Sequence, residues 1–476
     1  MRSFTAILLP LLCAAGACAA LAWWLTDLAP VPATRVPTAG GSLAESRAAA
    51  ARPPAAEAAG LFAAGRGTAG DSRDAWPAFR GPARDNLARP GVPIAETWPA
   101  DGPPVRWSVA VGDGHAGPVV RDGRVYLLDY DESRRGDLVR CLSLADGAEI
   151  WQRFYPVHTK RNHGISRTVC ALDGRFLVTF GPQCQVRTLD AVTGAHLWAI
   201  NLVSRYLARV PLWYAGQCPL VEDGVAVLAV GGERVLMTGI DCATGAIRWE
   251  TPNPGGWKQS HASVAVAGFH GVRQYLYAAL GGIAGVAAEG AAAGTLLWST
   301  TAFAPGVVAP TTVPLPGNRF LQVAGHGSGG ALFEVERSPD GVWRAVERRR
   351  ISRRVFACEQ QTPILRDGVL LAVLPSDAGD HRQELACMRL DGEVLWHSGP
   401  RDRFGLGPFL AVNDDLMLLM NDTGVLTLAR ATPAGYTRLA RHALFPGGRD
   451  AWGPLALVDG CLLLRDSTRL MCVDLR

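Results

Sequence analysis

No two cysteines are adjacent anywhere in this 476-residue chain, and neither a cysteine pair nor a His-Glu-x-x-His pattern with zinc-ligand spacing is present. Those absences exclude the common structural and catalytic zinc sites. A Gly-x-Ser-x-Gly elbow and a phosphate-cradling Walker loop are missing too, which removes the usual serine-hydrolase and P-loop chemistries. Charge of one sign is scarce: 47 basic against 43 acidic residues leave a net +4. That balance gives no electrostatic footprint for nucleic acid. His158 and His163 flank Lys160 and Arg161, and the acidic stretch Asp129-Tyr130-Asp131-Glu132 runs into Ser133-Arg134-Arg135-Gly136. Neither supplies a complete ligand set, so both read as solvated loops and no metal is expected. After residue 75 no long amphipathic helix can be traced, so the domain is read as all-β.

What the chain does have is a repeat. Asp190-Ala-Val-Thr193-Gly194-Ala-His-Leu-Trp198 recurs as Asp241-Cys-Ala-Thr244-Gly245-Ala-Ile-Arg-Trp249, with Asp, Thr, Gly and Trp at the same offsets. Shorter copies end at Trp151, Trp343 and Trp396, and fragments at Trp107 and Trp298. Steps of 44, 47, 51, 49, 45 and 53 residues between these tryptophans match a four-stranded propeller blade. Before each turn lies a hairpin such as Pro118-Val-Val-Arg-Asp122-Gly123-Arg-Val-Tyr-Leu-Leu128, where Asp-Gly supplies the positive φ of a tight turn. Hairpins beginning near residues 116, 168, 217, 261, 308, 361, 407 and 452 count eight units, with seven as the alternative because those near 308 and 407 are degenerate. The last unit lacks its tryptophan strand, and Pro104–Val109 is such a strand with nothing before it. The N-terminal strand is therefore expected to complete the last blade and close the ring. Trp198 and Trp249 are expected between blades, where truncation to alanine would cost about 3–5 kcal/mol.

The ends and the cysteines set the context. An apolar run from Phe4 to Leu25 follows Arg2. Residues 1–27 fit a transmembrane anchor, a cleaved signal peptide, or a lipoprotein leader processed at Cys18, and all three export the domain. Residues 28–75, rich in Ala, Pro, Gly and Arg, read as a disordered tether, and residues 76–476 as the propeller. The protein is thus expected facing the periplasm on the inner membrane, or periplasmic or secreted if the leader is cleaved. Of eleven cysteines, Cys13 and Cys18 lie in the leader and nine in the domain. An odd number at outward-facing blade positions reads as buried free thiols, with one within-blade bridge, Cys170 to Cys184, left open.

The Asp-x-x-Thr-Gly-x-x-x-Trp turns and the Pro-Val-Val-x-Asp-Gly-Arg-Val-Tyr hairpin resemble the pyrroloquinoline-quinone-like (PQQ-like) β-propeller repeat family. The opening Trp76-Pro-Ala-Phe-Arg-Gly-Pro82 looks like the start of its secreted bacterial members. The family includes quinoprotein dehydrogenases and a propeller lipoprotein of the outer-membrane barrel assembly machinery, so the resemblance implies a fold and leaves function open. Catalytic members carry a vicinal cysteine pair, calcium ligands, an aspartate base and stacking tryptophans. This chain lacks the cysteine pair, and its tryptophans recur once per blade, as packing residues do.

Two segments match Gly-x-Gly-x-x-Gly, at 112–117 and 325–330, but strands rather than helices are predicted to follow, so both read as blade turns. Residues just before each first strand should ring the channel mouth: His115, Arg167, Gln217, His261, Thr311, Gln361 and Trp452, with Glu359 nearby. Such a ring suits a small ligand, a glycan or a peptide, and equally hydrates a channel entrance. Trp213-Tyr214 reads as an aromatic interface anchor. The basic cluster Arg348–Arg354 reads as a solvated loop or a contact for anionic lipid or an acidic partner. The reading that follows is a non-catalytic, exported propeller binding envelope proteins or a small ligand, without cofactor. Its rival is an alcohol-oxidising quinoprotein holding PQQ and Ca²⁺, and a third is a surface glycan binder.

Overall fold

The computed structural model describes Ala17, residues 59–89 and residues 91–476. The chain divides into Met1–Ser46 and Arg47–Arg476, and all described residues except Ala17 belong to the second unit. The leader and residues 28–58 of the expected tether thus lie outside the described residues, Ala17 apart. Among those described, no helix is long and apolar enough to cross a membrane.

Eight four-stranded antiparallel blades form the β-propeller, seven of them wound from first strand to last in chain order and the eighth taking its outer strand from the N-terminal side. The first strands are Val119–Arg121, Ala171–Asp173, Leu220–Glu222, Ala265–Phe269, Val313–Leu315, Ile364–Arg366, Phe409–Val412 and Ala456–Val458, taken here as blades one to eight. Blade one touches blade eight through these strands, closing the ring. Val105–Ala110 pairs with Arg469–Asp474 as the outer strand of blade eight, as the unpaired N-terminal strand predicted. The units near 308 and 407 are complete blades, so the count is eight and not seven. At the Asp-Gly hairpins both central residues are left-handed, with φ 50° and 67° at Asp122-Gly123 and 51° and 76° at Asp367-Gly368.

Each residue of the repeated phrase has a mechanical part. Asp241 Oδ1 accepts from the Thr244 amide and hydroxyl, both at 2.8 Å, while Gly245 N donates to Asp241 O at 2.8 Å. Hydrogen bonds from Arg248 and Thr244 hold the Asp241 carboxyl down at about 2. Gly245 has φ 73°, and a Cβ there would stand 2.9 Å from the Trp198 ring of the preceding blade. Trp198 Nε1 then donates to Cys242 O at 2.8 Å. Asp190, Thr193 and Gly194 repeat this arrangement beneath Trp151. The phrase is therefore an inter-blade clasp. Trp198 is buried as expected, whereas Trp249 is only half-buried, stacked 5.9 Å from Tyr275.

The described end of the tether needs correcting. Residues 59–70 are bound to blade one, and Ser72 and Asp74 to Asp459 of blade eight: Leu61–Ala64 pairs with Glu149–Tyr155 as a fifth, outermost strand. From there Gly65 N reaches Ile150 O and Gly70 N reaches Gly123 O, each through backbone alone. A Cβ on Gly65 would lie 1.8 Å from Glu149 O, so the small residues that looked like a flexible tether instead permit close approach.

The chain then enters the channel. Trp76 bridges Val120 antiparallel, and Leu87–Ala88 runs parallel to Phe409–Val412, so the segment reverses direction inside. Pro77 O accepts from Leu172 N in blade two, Arg84 bonds Val221 O in blade three, Arg80 bonds Pro363 O before blade six, and Asn86 bonds Phe409 O in blade seven. Residues 76–88 are a plug.

Among the described residues all nine cysteines are free and buried, including Cys170 and Cys184. Free buried thiols are what was expected, and the bridge left open between Cys170 and Cys184 is not formed: Cys184 faces blade three, its thiol 3.3 Å from Gln259 Oε1. Cys461 and Cys472 lie on neighbouring strands of blade eight, and the Cys461 thiol accepts from Arg106 Nη1 at 3.0 Å. Arg348–Arg350 lies on the outer strand Trp343–Ile351 and not in a loop. Ion pairs of Arg348 with Glu334 and Glu336, and of Arg350 with Glu347, offset most of its charge.

Candidate channel-mouth site

Residues that precede the first strands do converge on one end of the channel. His115, Arg167, His261, Glu359, Gln361 and Trp452 line a single cavity of about 150 Å³, floored by Phe79 of the plug. Two expected members do not. Gln217 is fully buried and clipped to its own blade, its amide exchanging hydrogen bonds with the Ala229 N–H and C=O. Thr311 is buried in the wall of a different cavity.

Trp213 and His326 complete the mouth. Trp213 was legible only as an aromatic anchor, and His326 sat inside a glycine-rich blade turn. The turn between the second and third strands also faces this end, a position that could have flagged His326. The indole of Trp213 stacks on both imidazoles, 6.0 Å from His261 and 5.8 Å from His326. Its backbone is left-handed at φ 65°, as is Tyr214 at 73°. Consecutive bulky residues in that region are strained, and such strain persists where surrounding contacts over-determine it. Here the Tyr214 hydroxyl donates to Lys160 O, and Ala215 N donates to Pro182 O at 3.0 Å. Gly216 lets His261 approach, since a Cβ would fall 2.8 Å from its Nδ1.

On the opposite wall His115 lies 4.9 Å from Trp452, whose Nε1 donates to Asp422 at 2.7 Å. The contact of His115 Nε2 with His163 O, 2.9 Å, makes Nε2 the protonated nitrogen of a neutral ring. Arg167 Nη2 ties down the same loop through Asn162 O and His163 O at 2.6 and 2.7 Å. Burial, then the neighbouring Arg167 charge, pushes both His115 and His261 down to about 4. Burial lowers Arg167 itself to about 10, so it stays cationic. At neutral pH the mouth therefore presents the neutral imidazoles of His115 and His261 beside the Arg167 guanidinium, together with two indoles and Glu359, whose Oε2 accepts from Ser376 Oγ at 2.8 Å. Among the described residues no group of three His, Cys, Asp or Glu could hold a metal ion.

These histidines give acid sensitivity a sign. Unfolded, they take up protons near 6.5, and folded only near 4, so stability present above pH 6.5 is lost as pH falls toward 4. His115 alone should contribute about 3 kcal/mol to that loss. Asp137, raised to about 6 by burial, opposes it in part, since its contribution falls as pH rises. Urea unfolding at pH 7 and 4.5 should show the drop, and His115→Gln should flatten it; equal stability at both pH values would contradict the assignment.

Fold and repeat together define an eight-bladed β-propeller whose turns are similar to the PQQ-like repeat. A family model described as outer membrane protein assembly factor BamB matches residues 134–286. No curated protein matches the sequence. Among solved structures, BamB from Moraxella catarrhalis is 12% identical, with 77% of this chain and 98% of that chain covered and a TM-score of 0.50. A computationally designed protein, Ika8, is 10% identical over 78% and 99%, with a TM-score of 0.51. Quinohemoprotein alcohol dehydrogenase ADHIIG from Pseudomonas putida HK5 is 13% identical over 84% and 80%, with a TM-score of 0.53. At such identities the likeness is one of fold.

Proposed function

We propose that this chain is a non-catalytic binding platform of the cell envelope, docking a protein partner over the channel mouth and accepting one of its side chains there. The observation that carries this reading is Trp213, held in strained backbone over a cavity sized for a single ring. A cavity of this volume takes a molecule like benzene. Aromatic residues with arginine at the rim are the usual anchors of interfaces. The family model's outer-membrane assembly description favours an envelope partner, and export behind the N-terminal segment belongs to the same reading.

The rival, PQQ with Ca²⁺, draws on the fold shared with the alcohol dehydrogenase. Against it stand the missing cysteine pair, the lack of a metal-holding cluster among the described residues, and a mouth too small for three fused rings. Photo-crosslinking from position 213 in cells should yield one discrete adduct, with none from exposed position 342, in the turn before the outer strand of blade five. Calorimetry with PQQ and Ca²⁺, alongside an artificial-acceptor alcohol-oxidation assay, should stay silent. Saturable binding with turnover would replace the platform with an oxidoreductase.

A further inference from the structure

Between the plug and blades three to five lies a second, larger cavity of about 290 Å³. Its apolar wall includes Leu220, Val264 and Val313, and its polar wall Arg80, Arg84 and Thr311. Three buried polar atoms of that wall have no partner: Nε of Arg80, Nε of Arg84 and Oγ1 of Thr311. Arg80 is 7% exposed and Thr311 5%.

The arginine is the telling group. Arg80 Nη2 donates to Asp85 O at 3.1 Å and Pro363 O at 3.0 Å, yet no carboxylate pairs with it among the described residues. Arg465, equally buried, shows what a satisfied guanidinium looks like here, with donors to the carbonyls of Asp466, Ala116, Gly112 and Ser467. Burial lowers Arg80 only to about 10, so its charge persists at neutral pH. Nearby, Arg84 and Arg273 share the single carboxylate of Glu222, each at 2.7 Å. Asp85 is the one acid among the residues lining the chamber, and its Oδ1 is occupied by Leu87 N at 3.0 Å. Arg84 is paired with Glu222, so Arg80 is the guanidinium of this half-apolar wall that has no ion pair among the described residues. Water could satisfy the donors, but it would leave the charge uncompensated.

We propose that this inner chamber binds a small organic monoanion, its carboxylate held by Arg80 and Thr311 and its apolar body lying against Leu220, Val264 and Val313. The site is separate from the mouth, with Phe79 lining both cavities.

Calorimetric titration of the full chain with butyrate and benzoate, with butyramide as the uncharged control, tests this. At least one carboxylate should bind saturably and butyramide should not. Thr311→Val, which removes a hydroxyl at nearly constant shape, should weaken binding about tenfold. Arg80→Met should abolish it, and if that variant fails to fold, Thr311→Val carries the test alone. No saturable binding by either carboxylate at millimolar concentration overturns the proposal. Binding that Thr311→Val leaves unchanged, or that only Trp213→Ala removes, overturns it as well.

Discussion

Asp137→Ala is expected to destabilise the propeller by about 3–5 kcal/mol, whereas Asp137→Leu combined with Arg187→Met should be near neutral or stabilising. Asp137 sits fully buried on a strand of blade one, and its Oδ2 meets Arg187 Nη1 of blade two at 3.1 Å. The guanidinium also lies 4.1 Å over the Tyr155 ring. Burial outweighs the arginine and raises the carboxyl to about 6, so desolvation has not been fully offset by the pair. Asp137 Oδ1 has no partner, a further cost. Removing the acid alone strands a buried cation, while removing both charges strands nothing. Denaturant unfolding of Asp137→Leu, Arg187→Met and the double gives the coupling directly. A near-neutral Asp137→Ala would mean that the pair is not buried between these blades.

Trp198→Ala should cost about 3–5 kcal/mol, and Trp249→Ala markedly less. Both occupy the same place in the repeat, yet only Trp198 is buried and bonded across to the next blade, at Cys242 O. Truncating it opens a void above Gly245 and leaves that carbonyl without its indole donor. Trp249 packs over Gly294 but keeps a half-exposed face, so water reaches part of the gap. Equal losses at both sites would show that position in the repeat, and not burial, sets the energy.

Sequence and structure agree most closely where interactions are local. The Asp-to-Thr-to-Gly turn closes within five residues, and Trp107, Trp151, Trp198 and Trp249 each meet the glycine of the next copy of that turn. A repeated local rule therefore leaves a repeated signature, which is why the blades and their closing strand were readable. Mouth residues were partly readable for a related reason: the position before each first strand is constrained by the blade itself. His115, Arg167, His261, Glu359, Gln361 and Trp452 followed from that rule. Gln217 and Thr311 did not, since a side chain at that point can turn back into its own blade or toward the lower cavity.

The sequence by itself determined the blade and the order in which the ring closes, because each depends on turn chemistry and packing written into consecutive residues, while the choice of eight blades over seven waited on the degenerate units near 308 and 407. Only the tertiary structure decided that residues 59–88 brace blade one and plug the channel, dividing it into two cavities. The first part of that segment, to Gly70, binds through backbone hydrogen bonds and glycines that let chains touch, and its plug through polar side chains that reach blade carbonyls. Such contacts need no apolar pattern, and so leave none to read. The tertiary structure likewise decided that Asp137 meets Arg187 and that Arg80 is buried without an acid partner. Those outcomes depend on which blades become neighbours and on what remains inside the ring once it has closed.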